Sequence, residues 1–548
     1  MHLVADQVRS LDDTVQAIDL GQTPGEVAFL SFSDSDLGLM ASIHGAAGDA
    51  LPSLRLASLA DLRHPYSVDL WLDTVGRRAR FVLVRLLGGA DYWRYGVDEL
   101  AAAARAHGID LAVVPGDAHP DDRLDRASTL AEADLRRLWT WFQEGGPENV
   151  ASALGWIAAR LGRAAAWSEP KPLPAHGPFA PALRDGDGPL ALVVFYRSFV
   201  AAADTAPITA LADALAARGF RVRAEFVTSL KDARVVNGFT DLIEHLAPAI
   251  VVNCTAFSAR LDDGSTMLER AGVPVLQAIL STSPRDAWEA STRGLSAADL
   301  AMNVVLPEID GRLAVTAISF KGREERSEAH QFARAVHVPE PDGIARLADL
   351  AAAWVRLAET PRADRRLALV VSDYPAKGGR TAYAVGLDTP ASVVAIAEDL
   401  HAAGYDVADA IDADTLMRVL EGRETSERPT LPLATYEAAF ARLPVAFRDG
   451  VEAAWGPASA DPALVDGAFR FPALHLGRLT VAVQPDRGRR DERKGDYHDT
   501  SRPPRHAYVA FYVWLREVAR IDAMIHLGTH GTLEWLPGKA AAPSPACA

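Results

Sequence analysis

His526, His530 and Glu534 stand at i, i+4 and i+8 in the run HLGTHGTLEWLPGK at 526–539. Neutral imidazole binds cobalt and other borderline divalent ions, and a carboxylate binds metal or accepts a proton. The three side chains therefore suggest metal handling. On an unbroken helix they would share one face. Gly528 and Gly531 interrupt such a helix, and the apolar run IDAMIHL leads in. The better reading is a strand feeding a Gly-rich turn, at the carboxyl end of a strand where α/β sheets bind ligands and where glycine lets a backbone come close. The competing reading is structural: one histidine bonds to a loop and Glu534 caps a helix. The order is not HExxH, so nothing here favours a zinc protease.

A second candidate is QPDRGRRDERKGDYHDTSRPPRH at 484–506. Residues 486–505 hold seven Arg or Lys and five Asp or Glu, and His498 and His506 flank the later half. Arginine forks suit carboxylates, so Arg502, Arg505 and the neighbouring histidines could grip a polycarboxylate. A solvated loop is the alternative. In SDYPAKGGRTAYAVGLDTPAS, 372–392, the lysine precedes the glycines and no GxxxxGK[ST] is present, so a tight turn before a Pro-started helix is preferred to a phosphate loop. Tyr196 and Arg197, in FYRSF at 195–199, follow a buried-type strand and occupy a site position, although lone residues there are often structural. LPEIDGR at 306–312 reads as a turn whose charges could equally be surface features.

These side chains must be positioned by more than one domain, because 548 residues exceed a single compact core. A formal charge of −16 argues against non-specific nucleic-acid binding. The two cysteines, Cys254 and Cys547, exclude a disulfide framework and a four-cysteine zinc site. Cys254, within AIVVNCTAF, reads as a small core residue. MHLVADQVRSLDD lacks the basic start and apolar core of a signal peptide. No stretch reaches the roughly 18–20 apolar residues of a membrane span. The expected location is the cytoplasm.

The fold class expected is α/β and multidomain: several parallel-sheet α/β units with helical segments. EVAFLSFSDSDL, ARFVLVRLLGG and IDLAVVPGD read as strands within an N-terminal α/β domain, 1–120, with a helix ending before Gly108. A helical segment follows at 121–167, then a Pro/Gly-rich linker at 168–189. A second α/β domain spans 190–362, with strands PLALVVFYRSF, RVRAEFVTS, APAIVVNCTAF, VPVLQAILST and AVTAISF. A third unit, 363–548, opens with the strand RRLALVVSDYP, looks helical over 407–450, and ends in the strand IDAMIHL and the motif.

Several segments, in order, resemble the cobaltochelatase large subunit, the CobN family, and more distantly the magnesium-chelatase large subunit. They include FYRSFVAAADTAPITALADALAARG at 195–219, VVNCTAFS at 251–258, PVLQAILSTSPRDAW at 274–288, GLSAADLAMNVVLPEIDGRL at 294–313 and ISFKGREERSE at 318–328. YPAKGGRTAYAVGLDTPASVV at 374–394, YHDTSRPPRHAYVAFYVWLRE at 497–517 and IHLGTHGTLEWLPGK at 525–539 continue the series. The last is the most specific, and EWLPGK with Trp535 is closer to the cobalt version.

The resemblance implies a subunit that binds tetrapyrrole and metal and inserts Co2+, the substrate metal, into hydrogenobyrinic acid a,c-diamide in aerobic cobalamin synthesis. ATP, with Mg2+, would be hydrolysed by separate partners, the AAA+ ATPase and middle subunits. That agrees with the missing P-loop. His526 and His530 would be metal ligands or proton relays, and Glu534 a base or transient ligand. Arg502, Arg505, His506, His498, Tyr196 and Arg197 would contact the macrocycle. Family members run to about twice this length, and this chain stops nine residues beyond Lys539. It is therefore expected to be a fragment or truncated product, with 363–548 the start of a chelatase core. A magnesium-chelatase-type subunit, a non-catalytic tetrapyrrole or metal carrier and a metallohydrolase are the alternatives.

Overall fold

The computed structural model describes residues 16–372, 382, 384, 386–408, 411–423, 428–488, 499–528 and 533–547, with Glu534 described in its backbone alone. Among the described residues the strands form four sheets, and the chain divides into two compact units: Met1–Ala287 with Ser296–Ile344, and Trp288–Leu295 with Ala345–Ala548.

The first unit contains two sheets. Strands β1 (Val27–Ser31), β2 (Leu54–Ser58), β3 (Phe81–Leu86) and β4 (Asp110–Pro115) make a parallel sheet in the order β2-β1-β3-β4. The strands are almost continuously apolar because both faces are covered. Phe29 and Leu83 pack with Met40 and Trp141 on one face, and Leu30 and Val84 pack with Trp71 and Leu100 on the other. Helices α1 (Asp34–Ala47), α2 (Pro65–Thr74) and α3 (Arg94–His107) connect the strands. The Ser33 hydroxyl caps α1 by accepting the Asp36 N–H, and α3 ends at Gly108 with φ of 68°. The helical stretch consists of α4 (Asp122–Ala127), α5 (Glu132–Glu144) and α6 (Pro147–Arg160).

The second sheet has the order β11-β10-β9-β8-β6-β7-β5. Its central strands, β6 (Leu190–Tyr196), β7 (Arg221–Val227), β8 (Ile250–Asn253), β9 (Val275–Leu280) and β10 (Leu313–Arg323), run parallel. The edges are antiparallel: β5 (His176–Pro178) lies on β7, and β11 (Ala335–Pro339) on β10. Thus part of the Pro/Gly-rich stretch 168–189 is a sheet edge, where Pro178 lacks an N–H at no cost to the ladder. Helices α7 (Arg197–Ala201), α8 (Ala206–Ala216) and α9 (Ala233–Leu246) follow β6 and β7. Cys254 is buried beyond β8, and burial pushes its thiol pKa up.

The segment joining β10 to β11 packs on α1 through two buried imidazoles. His44 Nε2 donates to the Pro52 carbonyl at 2.8 Å, and His330 Nε2 donates to His44 Nδ1 at 3.0 Å. Burial, then His44, Arg334 and Arg55, depress His330 to about 4, from an ordinary value of 6.5. His44 is also lowered by burial, against a raising effect of the Pro52 hydrogen bond. The unfolded chain therefore takes up protons near pH 6.5 that the folded chain refuses until about 4, so stability falls as pH drops through that window. Calorimetry at pH 7 and pH 5 should show a lower Tm at pH 5, with a smaller drop in His330→Gln. An unchanged drop would sink this assignment.

In the second unit, β12 (Leu367–Val371), β16 (Ala473–Leu476), β17 (Leu479–Val483) and β18 (Ala523–Leu527) form a sheet ordered β16-β17-β12-β18. β12 is parallel to both β17 and β18, and β16 is antiparallel to β17. β13 (Thr430–Pro432), β14 (Leu464–Val465) and β15 (Ala468–Arg470) make a small antiparallel sheet. β13 interrupts the stretch 407–450 that the pattern predicts to be helical, because Pro429 and Pro432 break a helix there. One face of the larger sheet is covered by Tyr436, Phe440, Phe511 and Trp514, the other by Val393, Ala397, Leu416 and Leu420.

Candidate functional site

The motif begins on a strand, as the glycines and the apolar lead-in predict. His526 stands opposite Val370, and Leu527 opposite Val371, at the carboxyl ends of β18 and β12. Ser372 N–H continues the ladder to the Leu527 carbonyl at 3.0 Å. A Cβ on Gly528 would sit 1.8 Å from Ser372 Oγ and 3.0 Å from its Cβ, so any other residue would force the Ser372 side chain aside. Beyond it, Leu533–Trp535 forms a 3-10 turn. His530 lies outside the described residues, as do His498 and the Glu534 side chain. The His–His–Glu set is thus described at His526 alone.

His526 is half-buried and stacks on Tyr512, with ring planes 10° apart. The Tyr512 hydroxyl is 3.4 Å from His526 Nε2, and Gln484, just beyond β17, donates Nε2–H to the hydroxyls of Tyr508 and Tyr512. A buried amide therefore orients a phenol that faces the imidazole, an arrangement that limits ring rotation and biases where the proton resides. Sequence reasoning missed Gln484 and Tyr512. The available signal was positional: Gln484 ends a strand of the same sheet, and Tyr512 sits in an apolar helix just upstream.

The described ends of the 484–506 loop, 484–488 and 499–506, meet at Arg487, which is 1% exposed. Its guanidinium donates to the carbonyls of Trp535 at 2.6 Å, Arg502 at 2.7 Å and Asp499. One buried side chain thus ties the motif's turn to the loop. Arg502 lies 4.3 Å above the Trp455 ring, while the Trp455 indole donates to the Pro503 carbonyl at 2.9 Å. Arg505 pairs with Asp461 at 2.6 Å, and its backbone N–H donates to the Arg487 carbonyl. His506 is fully buried: Nδ1 accepts from the Tyr436 hydroxyl at 2.7 Å and Nε2 donates to the Gly456 carbonyl at 2.9 Å. The structure brings Arg502, Arg505 and His506 together, but with these groups already turned toward protein partners.

Tyr196 and Arg197 belong to the other unit. The Tyr196 hydroxyl donates to the Ala256 carbonyl at 2.7 Å, and burial pushes its pKa up to about 12. Arg197 pairs with Glu144 at 2.9 Å and donates to the Pro174 and Leu173 carbonyls. Both line a cleft of about 830 Å3. Of the charges of LPEIDGR, Glu308 is exposed, whereas Asp310 and Arg312 are a buried pair at 2.8 Å. Among the described residues, no group of three His, Cys, Asp or Glu side chains is placed to hold a metal ion.

The family model described as CobN/Magnesium Chelatase matches residues 139–548. This chain belongs to the CobN/magnesium chelatase family. The aerobic cobaltochelatase subunit CobN of a Sinorhizobium species is 40% identical over 577 residues, covering 100% of this chain and 45% of that protein. The protein of the same name from Pseudomonas aeruginosa is 38% identical, covering 100% of this chain and 46% of that protein. A magnesium-chelatase subunit of Rhodobacter capsulatus is 27% identical over 65% of this chain and 31% of its own length. The solved catalytic subunit of cobaltochelatase from Mycobacterium tuberculosis superposes with a TM-score of 0.78 at 31% identity, covering 96% of this chain and 44% of that one. The chain spans about half the length of the curated relatives it matches. No helix among the described residues is long and apolar enough to cross a membrane.

Proposed function

We propose that this chain is the tetrapyrrole- and metal-handling portion of a cobaltochelatase large subunit. It would insert Co2+ into hydrogenobyrinic acid a,c-diamide in the cytoplasm, with ATP and Mg2+ used by separate AAA+ ATPase and middle subunits. The observation that carries this reading is similarity to CobN subunits along the whole chain, at 40% and 38% identity, against 27% over part of it for a magnesium-chelatase subunit.

Insertion removes protons from ring nitrogens and strips water from the metal ion. An imidazole at a strand end, oriented by Tyr512, suits a proton relay or a transient metal contact. In this reading His526 and His530 take those roles, and Glu534 accepts a ring proton. Arg502, Arg505 and His506 act through the backbone they hold at 499–506, setting it for the macrocycle's carboxylates, and His498 contacts the macrocycle.

The test is Co2+ insertion with ATP, Mg2+ and both partner subunits, using this chain within the full-length large subunit. Glu534→Gln should lower the rate about a hundredfold or more, as expected for loss of a general base. Normal insertion by that variant overturns the base assignment. Tight binding of metal-free ring by the unsubstituted protein, never followed by metallation, would instead favour a carrier.

A further inference from the structure

The edge of a sheet is a row of unpaired peptide groups, which proteins usually close off. Each edge in the first unit carries such a device. On β2, Leu56 donates its N–H to the His330 carbonyl at 3.3 Å. On β4, the N–H groups of Leu111 and Val113 reach the Thr129 and Ser128 hydroxyls at 2.7 and 2.9 Å. On β11 the His337 N–H reaches Asp204 at 3.0 Å, and the three-residue β5 carries Pro178.

β18 is different. It is an edge of the larger sheet in the second unit, with β12 its sole neighbour among the described residues. Its sequence, AMIHL, holds no proline and no Lys, Arg, Asp or Glu. The Ser372 N–H, just beyond β12, bonds to the Leu527 carbonyl. Alternate residues of a parallel strand bond to the same neighbour, so Ala523, Ile525 and Leu527 turn their peptide groups to β12 and Met524 turns its N–H and carbonyl the other way. Among the described residues nothing bonds to the Met524 peptide on that side. β12 and β17 are buried along their whole length, whereas every residue of β18 is half-buried or exposed, Met524 at 39%. Val518 and Leu533, on either side of it in the chain, are exposed as well.

The lengths of the relatives point to the occupant. This chain covers 45% and 46% of the two CobN subunits, so more than half of each lies outside the matched region. The solved cobaltochelatase subunit is matched over 96% of this chain but 44% of its own length. An apolar edge strand with outward peptide groups takes up a further strand through main-chain hydrogen bonds. A second copy of this chain is the weaker candidate. Five paired residues bury far less than the roughly 1,200 Å2 of a stable interface between separate molecules. A segment of the same polypeptide binds intramolecularly, at high effective concentration, and needs no such area.

We propose that β18 is an internal strand of the complete sheet, paired on its Met524 side with an apolar strand from the part of the large subunit outside this chain. The docking rests on family membership alone. Its consequence rests on the chelatase reading: neighbouring strands lie about 4.8 Å apart, so the added strand brings its own residues beside His526 and supplies a wall of the site. The test is hydrogen exchange read at single amides, in the 548-residue chain and in the same chain within the full-length large subunit. Ile525, bonded to β12, is the internal reference and should be protected in both. Met524 should exchange more slowly in the full-length subunit by about tenfold or more, as an amide drawn into a ladder does. Met524→Pro adds a second readout. Proline lacks the N–H that the added strand needs and β12 does not use, so Tm should fall in the full-length subunit and stay unchanged in the 548-residue chain. Neither readout involves metal, ATP or cobalt insertion, so failure here leaves the chelatase reading standing. Equal exchange of Met524 in the two proteins overturns the proposal. Protection of Met524 in the 548-residue chain alone that rises with concentration, together with a doubled mass, also overturns it and assigns the edge to a second copy.

Discussion

Replacing Arg487 with methionine is expected to destabilise the second unit by roughly 3–6 kcal/mol, because carbonyls that accept from a buried charge lose their donor. The side chain is 1% exposed and its guanidinium donates to the Trp535, Arg502 and Asp499 carbonyls. Methionine fills similar volume, so the loss isolates hydrogen bonding rather than a cavity. Arg487→Lys should recover little, since an ammonium on a flexible stem cannot fan out to carbonyls in different directions. Arg470→Met is the control: its ion pair with Asp466 is exposed, and such pairs contribute about 0–1 kcal/mol. Urea denaturation checks the order. An Arg487→Met midpoint indistinguishable from that of Arg470→Met would remove Arg487 as the link between the loop and the motif.

Arg487 also shows where sequence reading stops. Counted with its neighbours it is one of seven cations in a polar loop, and composition assigns it to solvent or to a ligand. Its burial depends on the turn at Leu533–Trp535, far along the chain, which no local pattern reveals. His506 and Arg505 are similar. Their types suggest ligand contact, yet Tyr436, Gly456 and Asp461 take up the donors and acceptors that made them candidates. The motif was more legible because its signals are local: IDAMIHL alternates poorly, is short and apolar, and ends at glycine, which distinguishes a strand entering a turn from a helix. The strands β1, β3, β4, β6 and β12 were equally plain as apolar runs. β2 was not, since LRLAS is brief and carries Arg55, and the antiparallel edges β5 and β11 have no periodicity long enough to read. The cleft was visible only as isolated hints at Tyr196 and Arg197, because it is assembled from the ends of strands in two different sheets.

Asp310→Asn is expected to cost the first unit about 3–5 kcal/mol, the range for breaking a buried ion pair by removing one partner. Arg312 would remain buried with its charge uncompensated, and burial already lowers its pKa against the pull of Asp310. The amide keeps the size of the carboxylate but can supply one acceptor oxygen where Asp310 now uses both, to Ser258 through Oδ1 and to Ala259 and Arg312 through Oδ2. Ser258→Ala removes a single hydrogen bond from the same carboxylate and should cost only about 1 kcal/mol. The comparison separates charge from hydrogen bonding: near-equal losses for the two variants would mean that the pair is not the determinant. The same substitution bears on the cleft, which Phe257 lines. With the 258–259 backbone released, Phe257 has little reason to stay at φ of 64° and should relax to an ordinary conformation. Hydrogen exchange at Ser258 and Ala259 should therefore accelerate in Asp310→Asn under conditions where the protein is still folded. Protection that persists there would show that the Met302 carbonyl, which accepts the Phe257 N–H at 2.7 Å, and the surrounding packing hold the loop without the buried pair.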